Sequence, residues 1–221
     1  IPSARFADVR PPENWQRAQA TLVIAGITAV AWMLAAGTGN ADLAAVWGGF
    51  IPERVQGVFG DEWLAPVWLT PLTATLIHAG LVHLVFNLLI LLFCGRAVET
   101  ILGMRGLLIL YVTGAYVAAA AHYFIHVADG APMVGASGAI SAVFGAYAML
   151  FGRNRVKVAH PWLAVWLYAL WLGVAWVGLQ LLTGYTFETL GTRIAIGAHI
   201  GGFVVGLLLA RPLLLLRYRG A

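Results

Sequence analysis

Charged residues are scarce in this chain. Thirteen Lys and Arg and nine Asp and Glu make up 10% of its 221 residues, against about 25% in an ordinary soluble domain. Together with a hydrophobic share of 61%, this composition excludes a water-soluble enzyme. The net charge of +4 does not indicate nucleic-acid binding, because the basic residues are scattered between long apolar runs.

Cysteine is also nearly missing. Cys94 is the only one, so no intramolecular disulfide can stabilise the fold, and cysteine usage gives no information on the redox compartment. The apolar composition leaves a lipid bilayer as the medium in which this chain folds.

The sequence instead contains long apolar segments. A helix needs about 20 mostly apolar residues to cross the hydrocarbon layer, and six segments approaching that length are separated by polar, proline or glycine clusters. They predict an all-α, polytopic membrane helical bundle of six transmembrane helices, preceded by a short cytoplasmic leader over residues 1–19. The predicted membrane domain covers residues 20–221, and its spans are residues 20–36, 81–101, 107–127, 137–151, 162–182 and 194–216.

The segment 37–75 between the first two predicted spans is unusually long. It is rich in Gly, Trp and Pro and carries charged residues between apolar stretches, which favours a loop structured at the membrane surface over a disordered linker. The first span itself also resembles a secretory signal peptide, because Arg10 and Arg17 precede a short apolar run. A polar leader of about 20 residues is long for a signal peptide, so we predict a retained helix.

The basic residues predict the orientation of the spans. Only Arg54 and Arg193 fall on the side opposite the two termini. Because basic residues are enriched in cytoplasmic loops, both termini are predicted in the cytoplasm and the long first loop outside. The basic residues on the side of the termini are Arg5, Arg10, Arg17, Arg96, Arg105, Arg153, Arg155, Lys157, Arg211, Arg217 and Arg219.

Polar side chains inside such a bundle are candidates for function, because the bilayer penalises them unless they face the bundle interior or water. The first is Ser137, which opens the fourth predicted span between Gly135-Ala136 and Gly138. A Ser at a helix start is usually an N-cap. Glycines on both sides, however, permit the tight backbone that an exposed nucleophile requires.

His199 is the second candidate, early in the sixth predicted span. A lone His is more often structural, but small residues around it let another helix approach closely. They recur every four positions on both helices, as Ala198, Gly202, Gly206 and Ala210 on the sixth and Ser137, Ser141 and Gly145 on the fourth. If these stripes face each other, Ser137 and His199 meet at the outer end of two parallel helices. A base within hydrogen-bond reach activates a hydroxyl, so the pair predicts acyl-transfer chemistry.

His78, His83 and Asn87 form the third group, at the start of the second predicted span. His83 and Asn87 are four residues apart and share a helix face. They can serve as interhelical hydrogen-bonding residues, or as donors to the oxyanion of a tetrahedral intermediate together with the Ser137 N–H. Three polar groups from three spans at one depth favour a site.

Three other features are weaker signals. His122 and His126 could bind a metal ion, but no further ligand cluster accompanies them, so no metal is predicted. Glu99 beside Arg96 predicts an interfacial ion pair or a contact at a helix end. The nine Trp are predicted to be interfacial anchors.

The ordered set of polar motifs resembles the rhomboid family of intramembrane serine proteases. The motifs are His78-x4-His83-x3-Asn87, Gly135-Ala136-Ser137-Gly138 and Ala198-His199-x2-Gly202-x3-Gly206, on the second, fourth and sixth predicted spans, with Gly95-Arg96-Ala97-Val98-Glu99 at the end of the second. Each motif is weak by itself, but the ordered set is highly specific and covers the chain from about residue 20 onward.

The resemblance implies roles for these residues. Ser137 would be the nucleophile and His199 the general base and acid, in a dyad without a carboxylate. His83, Asn87 and the Ser137 N–H would form the oxyanion hole. Residues supporting this site would be His78, Gly135, Gly138 and Gly202.

The resemblance also implies the substrates and the membrane. Single-span membrane proteins would be cleaved within or beside their transmembrane helix, where small or helix-breaking residues let the chain unwind. No metal or cofactor is implied. The six-span form implies a bacterial inner (cell) membrane, with the active site opening to the outer side.

Two positions depart from the family pattern. Leu69 follows Trp68 where many members have an Arg, and Ser141 occupies the position where many bacterial members place a Tyr beneath the His ring. The orientation of His199 must therefore come from elsewhere.

Two other functions compete with proteolysis. A non-catalytic relative would bind membrane-protein clients without cutting them, although such relatives usually lack the Ser or the His. A transporter or pore would also use intramembrane His and Asn, although here the polar residues occupy a single end of the bundle.

Overall fold

The computed structural model describes residues 18–57, 63–152, 158, 160–189 and 194–219. Over these residues the chain is helical, and its one β-bridge joins Phe50 to Met133, so the predicted all-α class is confirmed. Most of the predicted leader lies outside the described residues. The helices are α1 (Gln19–Gly37), α2 (Ala41–Gly48), α3 (Pro52–Val55), α4 (Val67–Leu76), α5 (81–102), α6 (104–125), α7 (Ser137–Phe151), α8 (Pro161–Thr189) and α9 (Ile196–Arg217).

Among the described residues, four helical runs are long and apolar enough to cross a membrane. They are Gln19–Gly37, Leu81–Ile125, Trp162–Leu182 and Ile196–Arg217. Helix α7 is apolar but shorter, with 15 residues. The predicted count of six transmembrane helices therefore stays a prediction.

The run Leu81–Ile125 has 45 residues and contains two antiparallel helices, α5 and α6. As one helix it would be about 67 Å long, roughly twice the hydrocarbon thickness. Gly103, with φ 76° and ψ 168°, interrupts it. His83 of α5 and Ala118 of α6 both lie beside the start of α7, so the chain reverses between them. The break lies between the predicted spans 81–101 and 107–127, and a glycine at positive φ makes the connection shorter than those bounds.

Helix α7 lies at the centre of the bundle, between α6 and α9. A side chain on Gly206 would collide with the Ala142 carbonyl, and one on Gly202 with the Gly138 carbonyl. The two predicted small-residue stripes therefore face each other, and the helix backbones are as close as glycine permits. Because residues 138 and 142 meet residues 202 and 206 in the same order, α7 and α9 run in the same direction.

Helix α8 packs at the periphery. Only 6% of its apolar membrane window is buried, and its described contacts reach α7 and α9. The Tyr168 hydroxyl donates a hydrogen bond to the Ala148 carbonyl at 3.3 Å, and the Trp176 ring stacks on Phe203 at 4.8 Å between centroids. Helix α8 is thus attached at a few points along its length.

Glu99 ties α1 to α5 at the end of the bundle opposite Ser137. Its carboxylate, 2% exposed, accepts hydrogen bonds from the backbone N–H groups of Ala20 and Thr21, each at 2.8 Å, and from the Thr21 hydroxyl at 2.7 Å. The first N–H groups of a helix have no intrahelical acceptor, and a negative charge there is favourable. The predicted helix-end contact of Glu99 is confirmed.

The long connection between α1 and α5 is held by hydrogen bonds at several described residues. A guanidinium nitrogen of the buried Arg54 donates to the Ala65 carbonyl at 2.8 Å. Phe50 and Met133 exchange two backbone hydrogen bonds, at 3.0 and 2.8 Å. The connection therefore packs against the segment that leads into α7, in agreement with the predicted structured loop.

Candidate active site

Ser137 is the first residue of α7, and Gly135 shapes the turn before it. Gly135 has φ 115°, and its N–H donates to the Ala74 carbonyl at 2.9 Å. A Cβ at this position would lie 2.6 Å from Cε1 of the His83 ring. The positive φ and the nearby ring require a glycine. The turn also leaves the Ser137 N–H among the first amides of α7, which have no intrahelical acceptor.

Ser137 and His199 form a hydrogen-bonded pair across α7 and α9. Nε2 of His199 lies 2.7 Å from Oγ of Ser137, and the contact is half-buried. This distance is within the range over which a base takes a hydroxyl proton. Among the described residues, no carboxylate hydrogen-bonds to His199. The structure thus brings together the two residues that the sequence predicts as a dyad.

The His83 ring lies beside Gly135 and contacts a second imidazole. The rings of His78 and His83 meet edge to face, with centroids 4.9 Å apart. His78 is buried, and its Nε2 lies 3.5 Å from the N–H of Ala136, as a long hydrogen bond. Burial and, less strongly, the neighbouring charge of His83 lower the pKa of His78 to about 4. A neutral His78 therefore packs between His83 and the turn before Ser137.

Asn87 lies one helical turn from His83 and is 5% exposed. Its Nδ2 donates to the His83 carbonyl at 2.8 Å, and its buried Oδ1 has no hydrogen-bond partner. An amide nitrogen carries two N–H donors, so one N–H is left for another acceptor. Asn87, which the sequence predicts for the oxyanion hole, thus uses one of its N–H donors for a hydrogen bond within α5.

Ser141 is bonded within α7, and the two histidines at the end of α6 contact each other. The Ser141 hydroxyl donates to the Ser137 carbonyl at 2.8 Å. The rings of His122 and His126 stack with centroids 4.7 Å apart at the end of α6. Among the described residues, no group of three or more His, Cys, Asp or Glu side chains could hold a metal ion.

Trp176 is a contact to the dyad that the sequence did not reveal. Its indole N–H donates to the backbone carbonyl of His199 at 3.2 Å. The prediction that the Trp residues are interfacial anchors is wrong for Trp176, because its ring packs on Phe203 inside the bundle. The sequence carries no signal that separates Trp176 from Trp162, Trp166 and Trp171 of the same helix, which are exposed.

A comparison with protein families gives a match over most of the bundle. The model described as Rhomboid domain matches residues 66–216, more than half of the chain, and this range includes α4 to α9 and the whole candidate site. The chain belongs to the rhomboid family. It is therefore an integral, multi-pass membrane protein. The rhomboid family includes serine proteases and inactive members. No curated protein sequence matched the chain.

Proposed function

We propose that this rhomboid-family chain is an intramembrane serine endopeptidase that cleaves single-span membrane proteins within or next to their transmembrane helix. The observation that carries the proposal is the 2.7 Å contact between Ser137 Oγ and His199 Nε2. A serine hydroxyl is a weak nucleophile until an adjacent base removes its proton. The motifs around both residues and the family membership support the same reaction.

In the first step, Ser137 Oγ attacks the carbonyl carbon of the scissile peptide bond while His199 Nε2 takes the hydroxyl proton. The carbonyl π electrons move to the oxygen, which becomes the oxyanion of a tetrahedral intermediate. When the intermediate collapses, the C–N bond breaks and His199 gives its proton to the leaving amine. The acyl group remains on Ser137 as an ester.

In the second step, a water molecule hydrolyses this ester. His199 takes a proton from the water as its oxygen attacks the acyl carbon. Collapse of the second tetrahedral intermediate breaks the bond to Ser137 Oγ, which recovers its proton from His199. The products are a new carboxylate, a new amine and the free enzyme.

Donors near the start of α7 would stabilise the oxyanion. The Ser137 N–H belongs to the free first turn, where the helix dipole favours negative charge. His83 lies against Gly135, and Asn87 has a second amide N–H. His78 holds the His83 ring, while Gly138 and Gly202 allow α6 and α9 to approach the dyad closely. Preorganised donors of this kind lower the barrier of acyl transfer.

The substrate must unwind before it can react, because every carbonyl of a transmembrane helix is bonded within the helix. Small or helix-breaking residues near the cut make this unwinding less costly. The dyad lies at the end of the bundle where α5 and α7 begin. With basic residues on the cytoplasmic side, the site of the domain over residues 20–221 opens to the outer face of a bacterial inner membrane, and both termini are cytoplasmic.

The test is cleavage of a panel of single-span substrates by the purified protein in liposomes. We expect product from the wild type and none from Ser137→Ala or His199→Ala, each with unchanged thermal unfolding. The matched controls are Thr113→Ala, a hydroxyl bonded within α6, and His126→Ala, an exposed imidazole at the end of α6. Both controls should retain cleavage, because neither contacts the dyad in the structure.

Other outcomes contradict the proposal. Cleavage that persists in both dyad variants identifies a contaminating protease. If the wild type cleaves nothing in the panel but retains membrane-protein clients in a pull-down from detergent, the chain is a non-catalytic, client-binding rhomboid protein. Solute flux through proteoliposomes that continues in Ser137→Ala would instead indicate a transporter.

A further inference from the structure

We propose that Trp176 is a positioning residue for His199 and replaces the support that an aromatic ring at position 141 gives in many bacterial rhomboid proteins. This inference rests on the proposed function, because it concerns how His199 is held for proton transfer. Position 141 is a serine here. The structure provides an aromatic group from another helix, α8, at the backbone of the same histidine.

Ser141 cannot hold the His199 ring. Its hydroxyl donates to the Ser137 carbonyl at 2.8 Å, so the side chain is bonded back to α7. A Cβ on Gly202 would lie 3.2 Å from the Ser141 Cβ, which places Ser141 against the backbone of α9, one turn from His199. The α7–α9 contact at this position has small residues from both helices and no ring.

Trp176 contacts His199 through the backbone. Its Nε1–H donates to the His199 carbonyl at 3.2 Å. A carbonyl oxygen has two lone pairs, so the indole can bond there while the carbonyl also accepts the helical N–H of Phe203. The hydrogen bond fixes the first turn of α9 relative to α8, and with it the origin of the His199 side chain.

An aromatic cluster holds the Trp176 ring in place. The ring stacks on Phe203 with an interplanar angle of 15° and a centroid distance of 4.8 Å. Phe144 of α7 contacts both rings, at 5.1 Å from Trp176 and 5.9 Å from Phe203. Phe203 is 2% exposed and lies four residues after His199, on the same face of α9. One cluster thus links α7, α8 and α9 directly below the dyad.

The dyad geometry therefore depends on the docking of α8. Helix α8 is the least buried of the four membrane-crossing runs, and Trp176 is its contact with the catalytic histidine. While Trp176 is docked, the His199 backbone is fixed and Nε2 can meet the Ser137 hydroxyl. Loss of the indole N–H should lower the rate of proton transfer and leave substrate binding nearly unchanged, because small displacements of a reacting group are costly.

The experiment removes the N–H without removing the ring. Replacement of Trp176 by 3-benzothienylalanine keeps the size and shape of the side chain and substitutes sulfur for the N–H group. Trp176→Phe is the genetically simple companion. The matched control is Trp171→Phe on the same helix, whose side chain is 63% exposed. All proteins are purified as full chains in liposomes and compared by thermal unfolding.

Two reactions are measured for each protein. The first is cleavage of a single-span substrate, resolved into kcat and KM. The second is labelling of Ser137 by a small fluorophosphonate, in which an Oγ–P bond forms, the P–F bond breaks, fluoride leaves and His199 takes the hydroxyl proton. This probe is not a helix and needs no unwinding before it reacts, so it reports on the dyad alone.

We expect kcat and the labelling rate to fall together, by roughly five- to tenfold, in both Trp176 variants, with KM unchanged within twofold. Trp171→Phe should match the wild type in both reactions. An unchanged labelling rate in the benzothienylalanine protein, or a higher kcat in either variant, would overturn the inference, since the residue would then affect only substrate entry. If wild-type labelling does not depend on Ser137, the proposed function fails first and this inference fails with it.

Discussion

The two ends of the bundle each hold a buried polar cluster, but the clusters differ in how fully their hydrogen bonds are made. At one end, both carboxylate oxygens of Glu99 accept hydrogen bonds from the start of α1. At the other, Asn87 Oδ1 is buried without a partner among the described residues, and the first amides of α7 have no intrahelical acceptor. Satisfied polar groups hold a fold together, whereas unused donors and acceptors are available to a ligand.

The difference separates a structural from a chemical role for ionisable residues that look alike in a sequence. Glu99 and His199 are both ionisable residues inside apolar helices, and each is a functional candidate by that criterion alone. Their partners distinguish them. The Glu99 carboxylate bonds backbone and hydroxyl donors of α1, while His199 bonds a nucleophilic hydroxyl. We therefore expect stability to depend on Glu99 and turnover to depend on His199.

The largest effect is expected for His199→Gln. Glutamine keeps a polar side chain but cannot act as a base, so turnover should fall by at least about 1000-fold. The free energy of unfolding should change by less than about 1 kcal/mol, because the dyad contact is half-buried and contributes one hydrogen bond. Cleavage rates in liposomes and unfolding in mixed detergent micelles measure the two quantities. A loss of stability comparable to that of a core variant would contradict the comparison.

The opposite pattern is expected for Glu99→Gln. The new amide nitrogen would face N–H donors of α1, so stability should fall by about 2–4 kcal/mol. The cleavage rate per folded molecule should stay within twofold of the wild type, because Glu99 lies at the end opposite Ser137. Unfolding titrations and rates corrected for the folded fraction test this. An equal loss of turnover in the folded protein would show that the two ends are coupled.

An intermediate effect on stability is expected when the pH is lowered and His78 becomes protonated. Its pKa is 6.5 in the unfolded chain and about 4 in the fold, so between these values the unfolded state binds more protons. The contribution of neutral His78 to the free energy of unfolding is fully present above pH 6.5. It decreases as the pH falls towards 4, by up to about 1.4 kcal/mol per pH unit. His78→Gln should remove this part of the pH dependence. Unfolding free energies at pH 7, 6 and 5 for both proteins test it, and identical slopes would show that His78 titrates normally.

The smallest effect is expected for Thr21→Val, which removes the hydroxyl bond to Glu99 and keeps the backbone bonds. Stability should fall by about 1 kcal/mol. Thr28 of the same helix is the matched control, because it is equally buried but its hydroxyl has no partner. Thr28→Val should be neutral or slightly stabilising. Equal losses in both variants would mean that side-chain packing, and not the bond to Glu99, determines the effect.

The candidate site was largely predictable because its residues lie in short motifs. The glycines around Ser137 and the small residues around His199 mark positions where helices come close, and the structure places these two side chains in contact. The role of Asn87 was less predictable. Its amide donates to the carbonyl of His83 on its own helix, and a spacing of four residues cannot distinguish this bond from one to a ligand.

Trp176 shows where prediction stops. The break between the second and third spans was predicted, and the structure adds that it is a short reversal at the positive φ of Gly103. A Trp in a membrane helix fits an interfacial anchor as well as an interior contact. Its hydrogen bond to the His199 carbonyl depends on how α8 is rotated against α9, which the apolar pattern of α8 leaves open.

Hydropathy, glycine spacing and motif order are properties of each helix alone, and they were enough to predict the medium, the helical class, the small-residue faces and the break between the second and third spans. The 2.7 Å contact of Ser137 with His199, the cap that Glu99 places on α1 and the contact of Trp176 with His199 required the packed bundle. Those features join groups of one helix to side chains of another, and the rotation and depth of packing that bring them together are set by the whole bundle at once.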